Sequence, residues 1–470
     1  MAGASRPAIL ALDLGTSVLK AGLVGLDGTE LAMTRRAYPT LESTGRAEQR
    51  PQDWWSAVVD ATRELMAEAG AGGAGSGEGG ARRGEGAAAR GSVAGGNEVA
   101  GAAGGRAELG GERIEVVAIA LDGQGPTCVP TRADGDPAGL AIAWSDHRAV
   151  GERDVLSAAT GLPGWLLGIL PSALWLERHE VAVAAQASWY LAAWEWLGLR
   201  LSGVAASTVT HGQVVADRAM AATAGLPSEK VPDAVAAGAV LGDLTVRAAD
   251  ALGLPAGIPV VAGLNDAYAS CLGAGLLEAG DALDTGGSSG GLIIYADRPP
   301  EVPGAWIGPA PLPGRWLVGG AMAATGRALD WLCADILGGT ATIDELVAEA
   351  AGTPPGAEGL VFLPYLAGER SPIWDASARG VFAGLTLRHG RGHLTRAVLE
   401  GAALALRHVA EPILAAGYAM DQLRVCGGPA RSVPWGRIKA DVLGIPVEVP
   451  VVTDTAMLGA AILGAVAIGT

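Results

Sequence analysis

Ala8-Ile9-Leu10-Ala11-Leu12-Asp13-Leu14-Gly15-Thr16-Ser17-Val18-Leu19-Lys20, followed by Ala21-Gly22-Leu23-Val24 and Asp27-Gly28, decides how this chain is read. An apolar run ends in one carboxylate, Asp13. Three small residues turn the chain, and a second apolar run returns. That is the pattern of a β-hairpin closed by a small-residue turn. Gly15, Thr16 and Ser17 bring no bulk, so their N–H groups and hydroxyls can wrap phosphate oxygens. The carboxylate beside them can hold hydrated Mg2+ against those phosphates. An ordinary edge hairpin is the plain alternative.

Working outward, 470 residues exceed one ordinary core and predict two or three domains. Half of them are hydrophobic, enough for a sizeable interior. A protein that grips nucleic acid through its phosphates needs a basic face. A net charge of −16 and a pI near 4.9 argue against that partner. They do not argue against ATP, whose charge arrives partly offset by Mg2+. Lysine is scarce: Lys20, Lys230 and Lys439 stand against thirty arginines. The N-terminus has one arginine and a short apolar run broken by Asp13, which does not fit a signal peptide. The late apolar run 456–469 is too short for a membrane span of about 20 residues. A cytoplasmic protein with no membrane partner is expected. Cys128, Cys271, Cys333 and Cys426 form no C-x-x-C pair and read as reduced core thiols. His389 and His393 sit at helical spacing without a third ligand, so no metal site is read there.

A helix is expected over 51–69, with Trp55, Val58, Val59, Leu65 and Met66 as its stripe. From 70 to 112 the sequence is Gly, Ala, Glu and Arg, too poor in apolar surface to offset its ordering entropy, and a disordered insertion is expected. Gly70 to Gly75 matches G-x-G-x-x-G, but it follows a helix inside low complexity and is rejected as a dinucleotide site. The chain has no G-x-x-x-x-G-K-[ST]. A buried strand is expected over 113–121, ending in Asp122-Gly123-Gln124-Gly125-Pro126-Thr127, a polar loop where α/β proteins place ligands. Trp144-Ser145-Asp146-His147-Arg148 ends a short apolar run and would suit a polyol, an aromatic face on C–H groups and charged groups on hydroxyls. A hydrogen-bonded structural corner is the alternative. Residues 148–243 read as helical cover.

In the second half, 258–270 reads as a strand, a tight turn and a helix that starts at Asp266. Helix-end N–H groups favour an ionised carboxylate there, which suits a general base; a plain N-cap is the alternative. Asp284-Thr285-Gly286-Gly287-Ser288-Ser289-Gly290-Gly291 then echoes the Gly15–Ser17 turn and suggests two domains gripping one phosphate chain.

Asp-x-Gly-Thr-Ser-x-x-Lys resembles the first phosphate motif of the actin-like sugar kinases. The resemblance extends over nearly the whole chain outside the insertion. It includes Glu48-Gln49 before Asp53-Trp54-Trp55, the Trp144–Arg148 corner, and Gly319-Gly320 before Ala328-Leu329-Asp330-Trp331-Leu332. Its strongest block is Leu363-Pro364-Tyr365-Leu366-Ala367-Gly368-Glu369-Arg370-Ser371-Pro372, and Cys426-Gly427-Gly428-Pro429-Ala430-Arg431-Ser432 resembles an adenosine motif. On these residues the chain is identified as similar to FGGY carbohydrate kinases, nearest their xylulokinase-like branch.

The resemblance implies an α/β fold of two actin-like, ribonuclease H-like ATPase domains flanking a catalytic cleft, divided at 1–255 and 256–470. It implies ATP and Mg2+, with Asp266 as the base and Asp13 as the Mg2+ ligand. Gly15, Thr16, Ser17 and Lys20 would contact phosphates, as would Gly287 and Ser288 from the other side. Gly427, Gly428, Arg431 and Ser432 would lie at the adenosine. Gln124, Gly125, Pro126, Trp144 and Asp146 would meet a small-molecule sugar or polyol, and a homodimer is among the assemblies it allows. Xylulokinases carry Met-His where this chain has Gly125-Pro126, which implies a roomier, less polar pocket and an acceptor other than d-xylulose. The 205–216 stretch is a shortened match, and family members continue through a further helical tail past 458–463. These departures leave a degenerate kinase serving as a sugar or nucleotide sensor as the alternative.

Overall fold

The computed structural model describes residues 5–70, 106–109, 112–210, 213–214, 218–287 and 289–470. Its first sheet runs in the order Val240–Asp243, Pro259–Val261, Glu112–Gly123, Ser5–Leu14, Val18–Gly25 and Glu30–Ala37. Leu264–Asn265 and Arg106–Leu109 also pair with Glu112–Gly123. Strand Ser5–Leu14 is parallel to Glu112–Gly123 and antiparallel to Val18–Gly25. A strand covered on both faces reads as a nearly continuous apolar run, which is why 8–12 carries no polar residue. On one face Leu10, Leu12 and Leu14 meet Trp54, Val58 and Leu65 of helix Pro51–Gly70. On the other, Ile9 and Ala11 meet Met457, Ala460 and Ala461 of helix Thr455–Ala467. Side chains alternate along a strand, so Asp13 continues this second face, toward the start of the helix Thr455–Ala467.

The second sheet runs Trp306–Pro309, Trp316–Ala321, Gly291–Ala296, Asp281–Asp284, Gln422–Val425 and Val447–Glu448. It repeats the plan of the first: antiparallel strands joined by a small-residue turn, then parallel neighbours. The fold is α/β with two sheet-containing domains, as expected. The helix predicted at 51–69 is Pro51–Gly70. The apolar run 456–469 is helix Thr455–Ala467, packed on the first sheet. Among the described residues no helix is long and apolar enough to cross a membrane.

Two expectations need correction. Of the insertion expected at 70–112, residues 71–105 lie outside the described residues, while Gly70 closes the helix and Arg106–Leu109 form a strand against Glu112–Gly123. A short polar strand at a sheet edge carries no apolar signal to reveal it. The region 148–243 is not all helix either. Trp189–Ala192 pairs with Cys128–Thr131, and Ser207–Thr210 pairs with Gln213–Val214 and Ala234–Ala236. Short apolar runs do not separate buried strand from buried helix by periodicity.

Candidate active site

Three carboxylates meet where parallel strands of the first sheet end. Asp13 lies opposite Asp122 in the ladder, and Asp122 opposite Leu264, two residues before Asp266. Carboxyl ends of parallel strands are where open α/β sheets gather ligands. On the other side of Asp13 its register partner is Lys20, whose Nζ lies 2.8 Å from Asp13 Oδ2 and 3.4 Å from Asp454 Oδ1. Arg35 holds the second oxygen of Asp454 at 2.7 Å. Burial opposes the charge on Lys20, but Asp13, Asp454 and Asp122 outweigh it and raise its pKa.

Asp266 is not the N-cap of its helix. Asn265 is: its Oδ1 accepts from the Ala267 N–H at 3.0 Å, and Asp266 becomes the first residue of helix Asp266–Gly273. Asp266 Oδ1 shares that N–H at 2.8 Å. Burial, and then the charge of Asp13, push the Asp266 carboxyl up to about 7 against the helix N–H groups and Lys20. Asp122 is fully buried, and its carboxyl meets that of Asp13 within hydrogen-bond reach and has no other partner. Burial first, then Asp13 and Asp266, push its carboxyl well above the ordinary range. The sequence reading passed over Asp122 and Asp454. For Asp122 the signal was present: like Asp13, it is an aspartate closing a buried strand.

A divalent cation would suit this cluster, because Asp13 and Asp122 bring two close carboxyls to one buried point. Among the described residues no three side chains form a complete metal cage. That accords with Mg2+, which commonly takes one or two carboxylates and fills its shell with waters and phosphate oxygens.

The first turn is braced from below. The Gly15 N–H bonds Val18 O at 3.2 Å, and the Tyr38 hydroxyl donates to Gly15 O. Gln49 Nε2 donates to Thr16 O at 2.5 Å, and Gln124 Nε2 donates to Gln49 Oε1 at 2.6 Å. Trp144 Nε1 donates to the Thr16 hydroxyl at 3.0 Å, which leaves the Thr16 proton free to donate onward. Ser17 is exposed. The structure therefore brings Gln124 and Trp144 to the Gly15–Ser17 turn itself. Asp146 is held below: Arg148 binds both of its oxygens, and the Ala47 N–H donates to Oδ2 at 2.7 Å. Burial would raise the Asp146 carboxyl, but Arg148 and the backbone donors hold it below its usual range. From the other half of the chain, the Arg370 guanidinium sits 5.5 Å over the Trp144 ring.

The roomier pocket expected beside Gly125-Pro126 is not there. A Cβ on Gly125 would lie 2.7 Å from Trp194 Cζ3 and 2.9 Å from Asn265 Nδ2. Trp194, 2% exposed, fills the space that a missing side chain would have left. Nothing near Gly125 in the sequence announces it.

In the second sheet Gly286 has φ +60°, and a Cβ there would lie 2.2 Å from Cys426 O. Only glycine allows so close an approach. Gly287 faces Gly427, so the second turn and the Gly427–Ser432 segment lie together; Ser288 is outside the described residues. The Ser432 hydroxyl accepts from the Trp435 N–H at 3.3 Å and caps helix Val433–Leu443. Gly428 belongs to the short turn Gly428–Arg431, and Arg431 lines an open cavity of about 600 Å3 with Arg35, Asp27, Val451 and Asp454. Residues 453 and 454 join the two turns. Thr453 O accepts from the Gly427 N–H at 3.0 Å, and Asp454 holds Lys20.

Known proteins resemble this chain over nearly its whole length. The N-terminal domain of the FGGY family of carbohydrate kinases matches residues 107–273, and the C-terminal domain of the same family matches 283–468. A xylulose kinase of Escherichia coli is 30% identical over 459 residues, which span 93% of this chain and 84% of that one. The chain belongs to the FGGY family of carbohydrate kinases. A glycerol kinase of Gloeobacter violaceus is 29% identical, over 97% of this chain and 87% of its own. Among solved structures, the xylulose kinase from Rhodospirillum rubrum is 30% identical with a TM-score of 0.77, over 98% of this chain and 90% of that one. As an FGGY kinase, the chain is a phosphotransferase that passes the γ-phosphate of ATP to a hydroxyl of a small sugar or polyol. Neither the relatives nor the geometry supports the sensor alternative.

Proposed function

We propose that this FGGY kinase phosphorylates a polyol or sugar acid other than d-xylulose, with Asp266 as the general base. The acceptor loop carries this reading. The Gln124 amide is held by Gln49, Gly125 backs onto Trp194, and Pro126 brings no N–H. A site that recognises a hydroxyl through a fixed donor rejects acceptors that leave the donor unpaired. This loop supplies no side-chain donor at 125 and 126. Trp144 gives the acceptor an aromatic face, and Asp146 fixes that corner through Arg148.

Phosphoryl transfer needs positioning and charge neutralisation more than covalent help. With its pKa near 7, Asp266 can take the proton of the attacking hydroxyl at neutral pH. Asp13, with Asp122 beside it, would hold Mg2+, which when bound neutralises charge on the phosphates. Gly15, Thr16, Ser17 and Lys20 meet the phosphates from one side, Gly287 and Ser288 from the other. Gly427, Gly428, Arg431 and Ser432 serve the adenosine. Residues 1–255 thus supply the acceptor site and first turn; 256–470 supply the base, the second turn and the adenosine segment. The net charge of −16 argues against a nucleic-acid partner, and the four free cysteines suit a reducing, cytoplasmic setting. Exposed Val361, Leu363, Val381, Leu385 and Leu387 give a second copy an apolar face to cover.

The test is a panel of pentuloses, hexuloses, alditols and aldonates with Mg-ATP. An acceptor with higher kcat/KM than d-xylulose is expected. d-Xylulose as the best acceptor by about tenfold or more contradicts the specificity.

A further inference from the structure

Two of the three lysines in the chain pair with the aspartates that precede the two phosphate turns. Lys20 and Asp13 belong to one hairpin. Lys439 and Asp284 are 155 residues apart, yet Lys439 Nζ lies 2.5 Å from Asp284 Oδ2. Both side chains are buried, 4% and 6% exposed.

Each end of this pair is tied to a part of the nucleotide site. Asp284 Oδ1 accepts from the Gly286 N–H at 3.0 Å, so one carboxylate fixes both the lysine and the entry to the second turn. The Cys426 N–H reaches Asp284 O at 3.2 Å, and Gly286 lies against Cys426 O. Lys439 sits in helix Val433–Leu443, the helix capped by Ser432 of the adenosine segment. Its ammonium lies 4.6 Å over the Trp435 ring, and the Trp435 indole N–H is anchored on Leu399 O at 3.2 Å. Asp284, Lys439, Thr325, Pro429 and Trp435 line a gap of only about 10 Å3, so there is little slack for the pair to move.

We propose that Lys439 and Asp284 are positioning residues for the nucleotide. The pair locks the second phosphate turn to the adenosine segment, so that the two meet one ATP at a fixed spacing. The proposal rests on the ATP-dependent kinase reading. A buried ion pair is a poor source of stability, since well-packed apolar residues of similar volume often serve as well or better. What apolar residues do not supply is a carboxylate that holds Gly286 and Lys439 at once. Stability and nucleotide affinity should therefore separate.

The experiment compares the wild type with Lys439→Met, Asp284→Asn and the double variant Asp284→Leu/Lys439→Met. Tm, ADP affinity by titration calorimetry, and KM for ATP and for acceptor are measured. Each single variant lowers Tm, because it leaves one buried polar partner alone. The double variant recovers most of that Tm, which keeps the test alive if a single variant does not fold. ADP affinity falls by about tenfold or more in the double variant, with KM for ATP rising in parallel and KM for acceptor within about twofold. A double variant that regains Tm and binds ADP like the wild type overturns the proposal. So does one in which acceptor and ATP KM rise together. A wild type that binds no ADP overturns the kinase reading itself, and this assignment with it.

Discussion

At the first phosphate turn the strand ends in Asp13 and its lysine comes from the next strand, seven residues on; at the second the strand ends in Asp284 and its lysine comes from a helix 155 residues on. Lys20 keeps 29% of its side-chain surface exposed and shares itself between Asp13 and Asp454. Lys439 is sealed and holds Asp284. Asp13 also has two carboxylates for company, Asp122 beside it and Asp266 near enough to feel its charge. The first site is a crowded negative cluster that a cation or a phosphate-bound metal would relieve. The second is a neutral, closed pair that holds a turn in place. Similar local sequence therefore ends in two arrangements, a crowded carboxylate cluster at one turn and a closed ion pair at the other.

Exchanging each aspartate for asparagine tests that contrast most strongly. Asp13→Asn should lower turnover by about 10³-fold, because a charge at the reacting phosphates is lost. Its Tm should hold or rise, since Lys20 keeps Asp454 and the repulsion on Asp122 and Asp266 falls. Asp284→Asn should instead lose stability, by about 3–5 kcal/mol, because Lys439 is left buried without its counter-charge. Chemical denaturation and steady-state kinetics on both variants check this. Equal loss of stability in the two would erase the distinction.

Adding a methyl group separates the turns less severely. Gly286→Ala places a Cβ 2.2 Å from Cys426 O at φ +60° and should destabilise by about 1–3 kcal/mol. At Gly15 the nearest atom is Val18 O at 3.0 Å, with no left-handed φ, so Gly15→Ala should cost less than half as much. Thermal melts of the two variants side by side decide it. A larger loss at Gly15 would mean that the first turn is the rigid one.

The smallest effect is a pH dependence. Burial lifts the folded-state pKa of Asp266 from 3.8 to about 7. The folded protein therefore favours the protonated carboxyl. Wild-type stability from this group is complete below about pH 4 and is lost as pH rises through 7. Asparagine mimics the neutral form throughout. The Tm of Asp266→Asn should match the wild type near pH 4, pull ahead between pH 4 and 7, and stay a few degrees ahead at pH 8. A gap that shrinks with rising pH would reverse the assigned shift.

The parts of this account that were legible in the sequence are contiguous. The Asp13 turn, the Asp266 helix start, the Gly286-Gly287 turn and the Gly427–Ser432 segment are each a strand or helix end with its small residues in a row. What was not legible depends on partners far away in the chain. Asp122 closes a buried strand as Asp13 does, but the ladder, not the local sequence, sets it opposite Asp13. Asp454 matters because the last helix returns to the first sheet and reaches Lys20. Trp194 fills the space beside Gly125 from 69 positions on, so composition at the loop alone suggested an open pocket. Lys439 was conspicuous only as a rare lysine, and its partner was fixed by packing. Asn265 shows the limit at short range as well: the cap and the proposed base are adjacent, and only the hydrogen bonds tell them apart.

Acceptor-dependent ATP turnover by the wild type and Asp266→Asn, with ADP binding measured on the same samples, tests the central claim most directly. The two turns should hold the nucleotide with or without the Asp266 carboxylate, while the transfer needs it. Turnover with the best acceptor should fall by at least about 10²-fold in Asp266→Asn, with ADP affinity within about twofold of the wild type. A variant that phosphorylates the acceptor at close to the wild-type rate would contradict the account.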